Sequence, residues 1–129
     1  MNLKLLLITS TSLLSLLSWC IFKYTMGAVG YLDVFSHFFG ALSVAIAVSY
    51  LLEIKEPILN PRFHIITITI LAMILWEILE GISYYYTYGH FHNVYKPWYM
   101  ITYDFTLLDF IKDFSSGITG LIFCIKVIV

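Results

Sequence analysis

The chain has 129 residues, 60% apolar and 18% aromatic, and only 12% carry a formal charge. Soluble domains average about 25% charged residues, so this composition, with mean hydropathy +0.89, excludes a water-soluble globule. Seven Lys and Arg against eight Asp and Glu give −1 with no basic run, which excludes nucleic-acid binding driven by positive charge. The expectation is a multi-pass membrane protein, all-α, with residues 1–129 forming one domain and the lipid bilayer as its first partner.

A spanning helix needs about 20 mostly apolar residues. Residues 3–22 meet this and end at Lys23. A secretory signal would also begin with an apolar run, but this one is long for that role. Bulky Trp19 also stands where a peptidase wants a small residue, so the segment is expected to stay as a helix. Residues 34–52 form the second span, closed by the charged run Glu53, Lys55 and Glu56 and by Pro57. After the breaker Asn60-Pro61-Arg62 the third span runs over 63–80, and the fourth over 107–129. These predict a four-helix membrane bundle.

Residues 81–106 form the one long connection and are rich in rings, among them Tyr84, Tyr86, Phe91, Tyr95, Trp98 and Tyr103. Tyr and Trp favour the membrane–water boundary, so a long aromatic interfacial loop is expected here, first as a belt and second as a lid. His90 and His92 lie at i,i+2 within it, a weak metal signal. Cys20 and Cys124 have no metal spacing and read as packing residues. His64, beside Arg62, reads as interfacial.

With four spans, both termini and the 53–62 connection share one side, which carries Lys4, Lys55, Arg62 and Lys126. The other side carries Lys23, Lys96 and Lys112. Four against three places the termini in the cytoplasm under the positive-inside rule. No internal repeat supports an inverted-repeat transporter.

The remaining charges gather at three helix ends. Asp33 and His37 open the second span, Glu77 and Glu80 close the third, and Asp109 and Asp113 open the fourth. Alternating direction brings these ends to one membrane face. Each pair is spaced i,i+4 or i,i+3, hence on one side of its helix. His37, Glu77 and Asp113 then form a deeper layer, about 5–6 Å below Asp33, Glu80 and Asp109. Lys112 projects from a different helical face than Asp113 and is read as a poor counter-ion.

Five carboxylates and a His at the edge of hydrocarbon each cost several kcal/mol if charged and alone. Protons, water or a bound cation must offset this. A mixed His and carboxylate set suits Zn²⁺, Mn²⁺ or Fe²⁺, and its excess of oxygens also suits Mg²⁺ or Ca²⁺. The expected metal ligands are His37, Glu77, Asp113 and Asp33, and the expected general bases are Glu80 and Asp109. Asp33 and Asp109 also fit helix N-terminal turns with no further role. Nearby small residues, Ser36, Gly40, Gly117 and Gly120 among them, let the helices approach closely.

The blocks His37-Phe38-Phe39-Gly40, Trp76-Glu77-x-x-Glu80 and Asp109-x3-Asp113-x3-Gly117 resemble small membrane proteins of the YjdF type and, more distantly, VanZ-like proteins. The resemblance spans roughly residues 33–120 and rests on about eight positions. It implies a compact helical membrane protein with His37, Glu77, Glu80, Asp109 and Asp113 as signature polar residues, and it brings no settled reaction. The chain lacks the Arg that VanZ-like proteins carry ahead of the last acidic block.

Three functions fit this pattern. The first is a divalent-metal protein, with hydrolase or transferase chemistry at the lipid interface. The second is a non-catalytic scaffold or accessory subunit, in a homo-oligomer or with a membrane partner. The third is proton- or cation-coupled transport.

Overall fold

The computed structural model describes residues 2–25, 31–54, 60–88 and 107–129, excepting the side chains at 83–88 and 107–108. Four α-helices follow in order: α1 (Leu3–Tyr24), α2 (Tyr31–Ile54), α3 (Pro61–Tyr88) and α4 (Leu107–Phe123). A π-helical turn, Cys124–Ile128, continues α4. Among the described residues there is no strand.

Local chemistry explains where the helices start. The Asn2 side chain accepts a hydrogen bond from the Lys4 backbone N–H, satisfying a donor that the first turn of α1 leaves open. Pro61 opens α3, where its missing N–H costs nothing and its fixed φ suits the helix. Asn60 ahead of it has φ of 62°, a left-handed conformation that Asn tolerates better than most residues. Its carbonyl accepts from the Phe63 N–H and lies 3.1 Å from His64 Nδ1.

α2 is the central helix and packs against α1, α3 and α4. Its Leu42, Ala45, Ile46 and Val48 meet Ile65 of α3, Leu121 of α4 and Cys124 of the π turn in one buried cluster. α1 and α2 run antiparallel, since Lys4 at the start of α1 pairs with Glu53 at the end of α2. Lys4 Nζ also donates to Ser49 Oγ at 2.9 Å. Hydroxyls bind the helices together along their length. Ser15 and Ser43 donate across the α1–α2 boundary to the carbonyls of Ser36 and Ile8, and Ser116 of α4 donates to Val34 of α2. With little hydrophobic drive between helices in lipid, such bonds and close packing supply the cohesion.

α4 is amphipathic. Asp113, Ser116, Gly117, Gly120, Leu121 and Cys124 are buried at i, i+3, i+4, i+7, i+8 and i+11, one stripe facing α2. Gly120 packs so closely that an added Cβ would strike the Phe38 backbone carbonyl.

α1, α2 and residues 61–82 of α3 are long and apolar enough to cross a membrane. Of 22 residues in α1 only Thr11 and Phe22 are buried, while Leu3, Leu13, Leu16 and Leu17 are more than half exposed. An apolar surface of that extent needs lipid or a partner. α4, 17 residues with Asp109 in its first turn, is not among the three.

α1, α2 and α3 exceed the expected spans. α2 begins at Tyr31 rather than residue 34, so Asp33 is helical. α3 continues to Tyr88, which converts the first part of the expected 81–106 loop into helix. No helix breaker stands between Glu80 and Tyr88 except Gly81, which a helix tolerates at a cost of about 1 kcal/mol. The rest of that loop, with His90, His92 and the rings from Phe91 to Phe105, lies outside the described residues. Cys20 is exposed, Cys124 is buried, and neither forms a disulfide.

Candidate metal centre at the helix ends

The antiparallel course of α2 and α3 brings the start of one to the end of the other, and α4 starts at the same end. Ser116 Oγ, bonded to the Val34 carbonyl, sets the height of α4 against α2. Asp33, His37, Glu77, Glu80, Asp109 and Asp113 therefore converge, and Asp33, Glu77 and Asp113 are buried.

His37 is the centre of the first set. Its Nδ1 lies 3.5 Å from Glu77 Oε1, and its Nε2 lies 3.3 Å from Asp113 Oδ2 and 3.9 Å from Glu80 Oε2. One ligand atom from each of these four residues falls within 4.8 Å of the other three. His37 Nε2 is also 3.6 Å from Asp33 Oδ1, its i,i+4 neighbour.

Lys112 is the centre of the second set. Its Nζ donates to Asp33 Oδ2 at 2.7 Å and to Asp109 Oδ1 at 2.8 Å, and stands 3.2 Å from Asp113 Oδ1. One carboxylate oxygen from each of Asp33, Asp109 and Asp113 also lies within 4.8 Å of the other two. Asp113, with its side chain 0% exposed, belongs to both sets.

One expectation is corrected here. Lys112 is not a poor counter-ion but the cation of three acids. Its Cβ leaves α4 on another face, yet four methylenes carry the ammonium around the helix, a reach that face arithmetic omits. By proximity, Glu80 groups with His37, Glu77 and Asp113, and Asp33 and Asp109 group with Asp113.

Hydrogen bonding separates the sets further. His37 Nε2, Glu77 Oε2 and both Asp113 oxygens are buried without a hydrogen-bond partner. Buried polar atoms are nearly always satisfied, and each exception calls for an explanation such as an ion. The His and carboxylate donors suit a borderline or hard divalent cation. The cluster could bind a metal on donor chemistry and on these unpartnered atoms. Glu80 is its most open member, with a side chain 20% exposed against 4% for Glu77.

A cavity adjoins the cluster. It measures about 400 Å³ and is lined by all three of α1, α2 and α3, with His37 in its wall. Spacing gave no hint of it, because a void depends on how far apart helices lie. Trp76 is 46% exposed and lines this cavity. His64 stays apart from the cluster, bonded to its own helix start. No family model, curated protein or solved structure matches the chain.

Proposed function

We propose that the chain is a four-span protein of the cell membrane that binds one divalent cation through His37, Glu77 and Asp113 at one membrane face, with Glu80 beside it. The observation that carries this reading is the set of buried atoms without a hydrogen bond on His37, Glu77 and Asp113, converging from three helices. α4 with its π turn serves as the fourth span, its acidic end at the interface and its apolar end in lipid. The termini lie on the opposite face, assigned to the cytoplasm by the small excess of Lys and Arg there. The likeness to YjdF-type proteins belongs to the same reading.

Among reactions, metal-dependent hydrolysis or group transfer at the lipid interface suits the site best. A bound cation there would supply Lewis-acid activation. Glu80 is open enough to exchange a proton with water, which favours it as general base. Asp109 already accepts from Lys112 and suits positioning instead. Asp33 shares that lysine and belongs to the surround.

Elemental analysis of protein purified in detergent without chelator tests the reading, beside His37→Ala and Asp113→Asn. About one Zn, Mn, Fe or Mg per chain, lost in both variants, is the expected result. Absence of metal in the parent, with both variants as stable as it, would overturn the proposal in favour of a scaffold.

A further inference from the structure

α1 and α3 both pack on α2 and have little contact with each other. The cavity fills the space between them. Its floor, deep in the helices, is formed by Ser12, Ser43 and Thr69, and its upper end by Trp19, Ser36, His37 and Trp76. Thr69 and Trp76 are seven positions apart on α3, so the cavity is about 10 Å tall. It opens sideways, since Leu16 and Trp76 in its wall are exposed to the surroundings of the bundle. In a membrane-spanning arrangement, whatever enters by that opening comes from the bilayer.

The volume lies within the range of about 300–1,000 Å³ typical of small-molecule pockets. Most of the wall is apolar or small, and most hydroxyls in it are already engaged. Ser12 and Ser43 bond each other, and Ser15 bonds the Ser36 carbonyl. Trp19 Nε1 is different, being buried at the upper end with no acceptor. An indole N–H held this way is free to donate to an oxygen that enters the cavity. The charge beyond His37 limits which head can approach, because among the described residues five carboxylates gather around one ammonium, Lys112, and the His37 imidazole. An anionic head is repelled there, whereas a hydroxyl or carbonyl is not.

We infer that this cavity receives the aliphatic chain of a membrane amphiphile whose uncharged, oxygen-bearing head reaches Trp19 Nε1 and His37. The inference names the substrate class for the proposed site and rests on the same membrane-spanning reading. It does not require the cation to be bound. The chain points away from the polar face towards the membrane interior, and the head stops beside the candidate ligands. Thr69 Oγ1, at the floor, also lacks a partner, and a hydrocarbon chain leaves it so.

Trp19 is the reporter for the test. The full chain carrying Trp76→Phe and Trp98→Phe is titrated in maltoside micelles with a fatty alcohol brominated at mid-chain, a contact quencher. Quenching that saturates, and is relieved by the unbrominated alcohol, is expected. Ala72→Phe and Val44→Phe each narrow the cavity and should abolish the saturable part, with helicity by circular dichroism confirming folding in at least one of them. Thr69→Val removes the unanswered hydroxyl and should tighten binding, up to roughly tenfold. The brominated fatty acid at alkaline pH should bind more weakly than the alcohol.

Quenching that rises linearly and equally in the parent and a folded filled variant would overturn the inference. So would weaker binding in Thr69→Val, or a fatty acid that binds as well as the alcohol. Each titration is run with chelator and with Mn²⁺. Saturable quenching in a protein that takes up no metal leaves this inference standing and removes the cation reading. Metal uptake without saturable quenching does the reverse.

Discussion

Lys112 Nζ stands 2.7 Å from Asp33 Oδ2, joining the first turn of α2 to the second turn of α4 through a single ammonium. The same ammonium meets Asp109 and Asp113, so one cation holds three carboxylates that would otherwise repel. The consequence is a polar centre of two unlike halves. One half is neutralised by the protein's own lysine. The other, around His37, has polar atoms left over, and Asp113 connects them.

Lys112→Met should therefore destabilise the fold by about 3 kcal/mol in chelator, the lower part of the range for breaking a buried ion pair. The side chain is 26% exposed, and water recovers part of the loss. Thermal unfolding in detergent measures this. Because Asp33, Asp109 and Asp113 could hold an ion themselves, added Mn²⁺ should recover more stability in the variant than in the parent. Equal recovery would mean that the lysine does not stand where a second cation fits.

Packing between α2 and α4 makes a separate prediction from two glycines on one helix. A Cβ at Gly120 meets the Phe38 backbone carbonyl, which cannot step aside. At Gly117 it meets the Met73 terminal methyl at 2.5 Å, the far end of a flexible side chain. Gly120→Ala should cost about 1–3 kcal/mol, as overpacking typically does. Gly117→Ala should cost less than half of that. Urea-free thermal scans of the two variants in one detergent give the comparison directly, and the reverse order would contradict the α2–α4 register described here.

Much of this arrangement is legible in residue order alone. Apolar run lengths locate α1 to α3, and alternation of direction brings Asp33, Glu77 and Asp113 to one end. Spacing of i,i+4 and i,i+3 identifies which carboxylates share a side. Three features are not legible. Helix ends drift because Tyr31 and residues 81–88 carry no strong stop signal. Lys112 is misread because pattern arguments place Cβ atoms, whereas a long side chain acts at its tip. The cavity is invisible because it depends on α1 and α3 diverging around α2, a tertiary fact. Its one sequence signal is the set of Ser on facing positions of α1 and α2, Ser12, Ser15, Ser36 and Ser43, of which Ser36 alone reads from the sequence as a close-packing residue.

Glu77→Gln separates a ligand from a structural polar group. The amide keeps the shape of the side chain and removes its charge. Among the described residues Glu77 Oε2 has no hydrogen-bond partner, and Oε1 approaches His37 Nδ1 at 3.5 Å. Without metal, the variant should equal or exceed the parent in stability, since a buried carboxylate with one long contact to His37 is replaced by a neutral amide. Its affinity for Mn²⁺ should fall at least about tenfold, or 1.4 kcal/mol. A variant that loses stability with no change in metal affinity would assign Glu77 to the scaffold.

Metal removal gives the last expectation, and it is quantitative. A ligand that binds only the folded state stabilises it by RT ln(1 + [L]/Kd), about 2.7 kcal/mol at a hundredfold excess over Kd. Chelation should therefore lower the unfolding temperature of the parent, with stability rising logarithmically as Mn²⁺ or Zn²⁺ is restored. His37→Ala removes the residue that touches Glu77, Glu80 and Asp113 together, and its unfolding temperature should ignore both chelator and metal. Lys112→Met should keep a response, because the His37 set remains. If His37→Ala responds as the parent does, the ion sits among Asp33, Asp109 and Asp113 instead. The unpartnered atoms on His37 and Glu77 would then need another explanation.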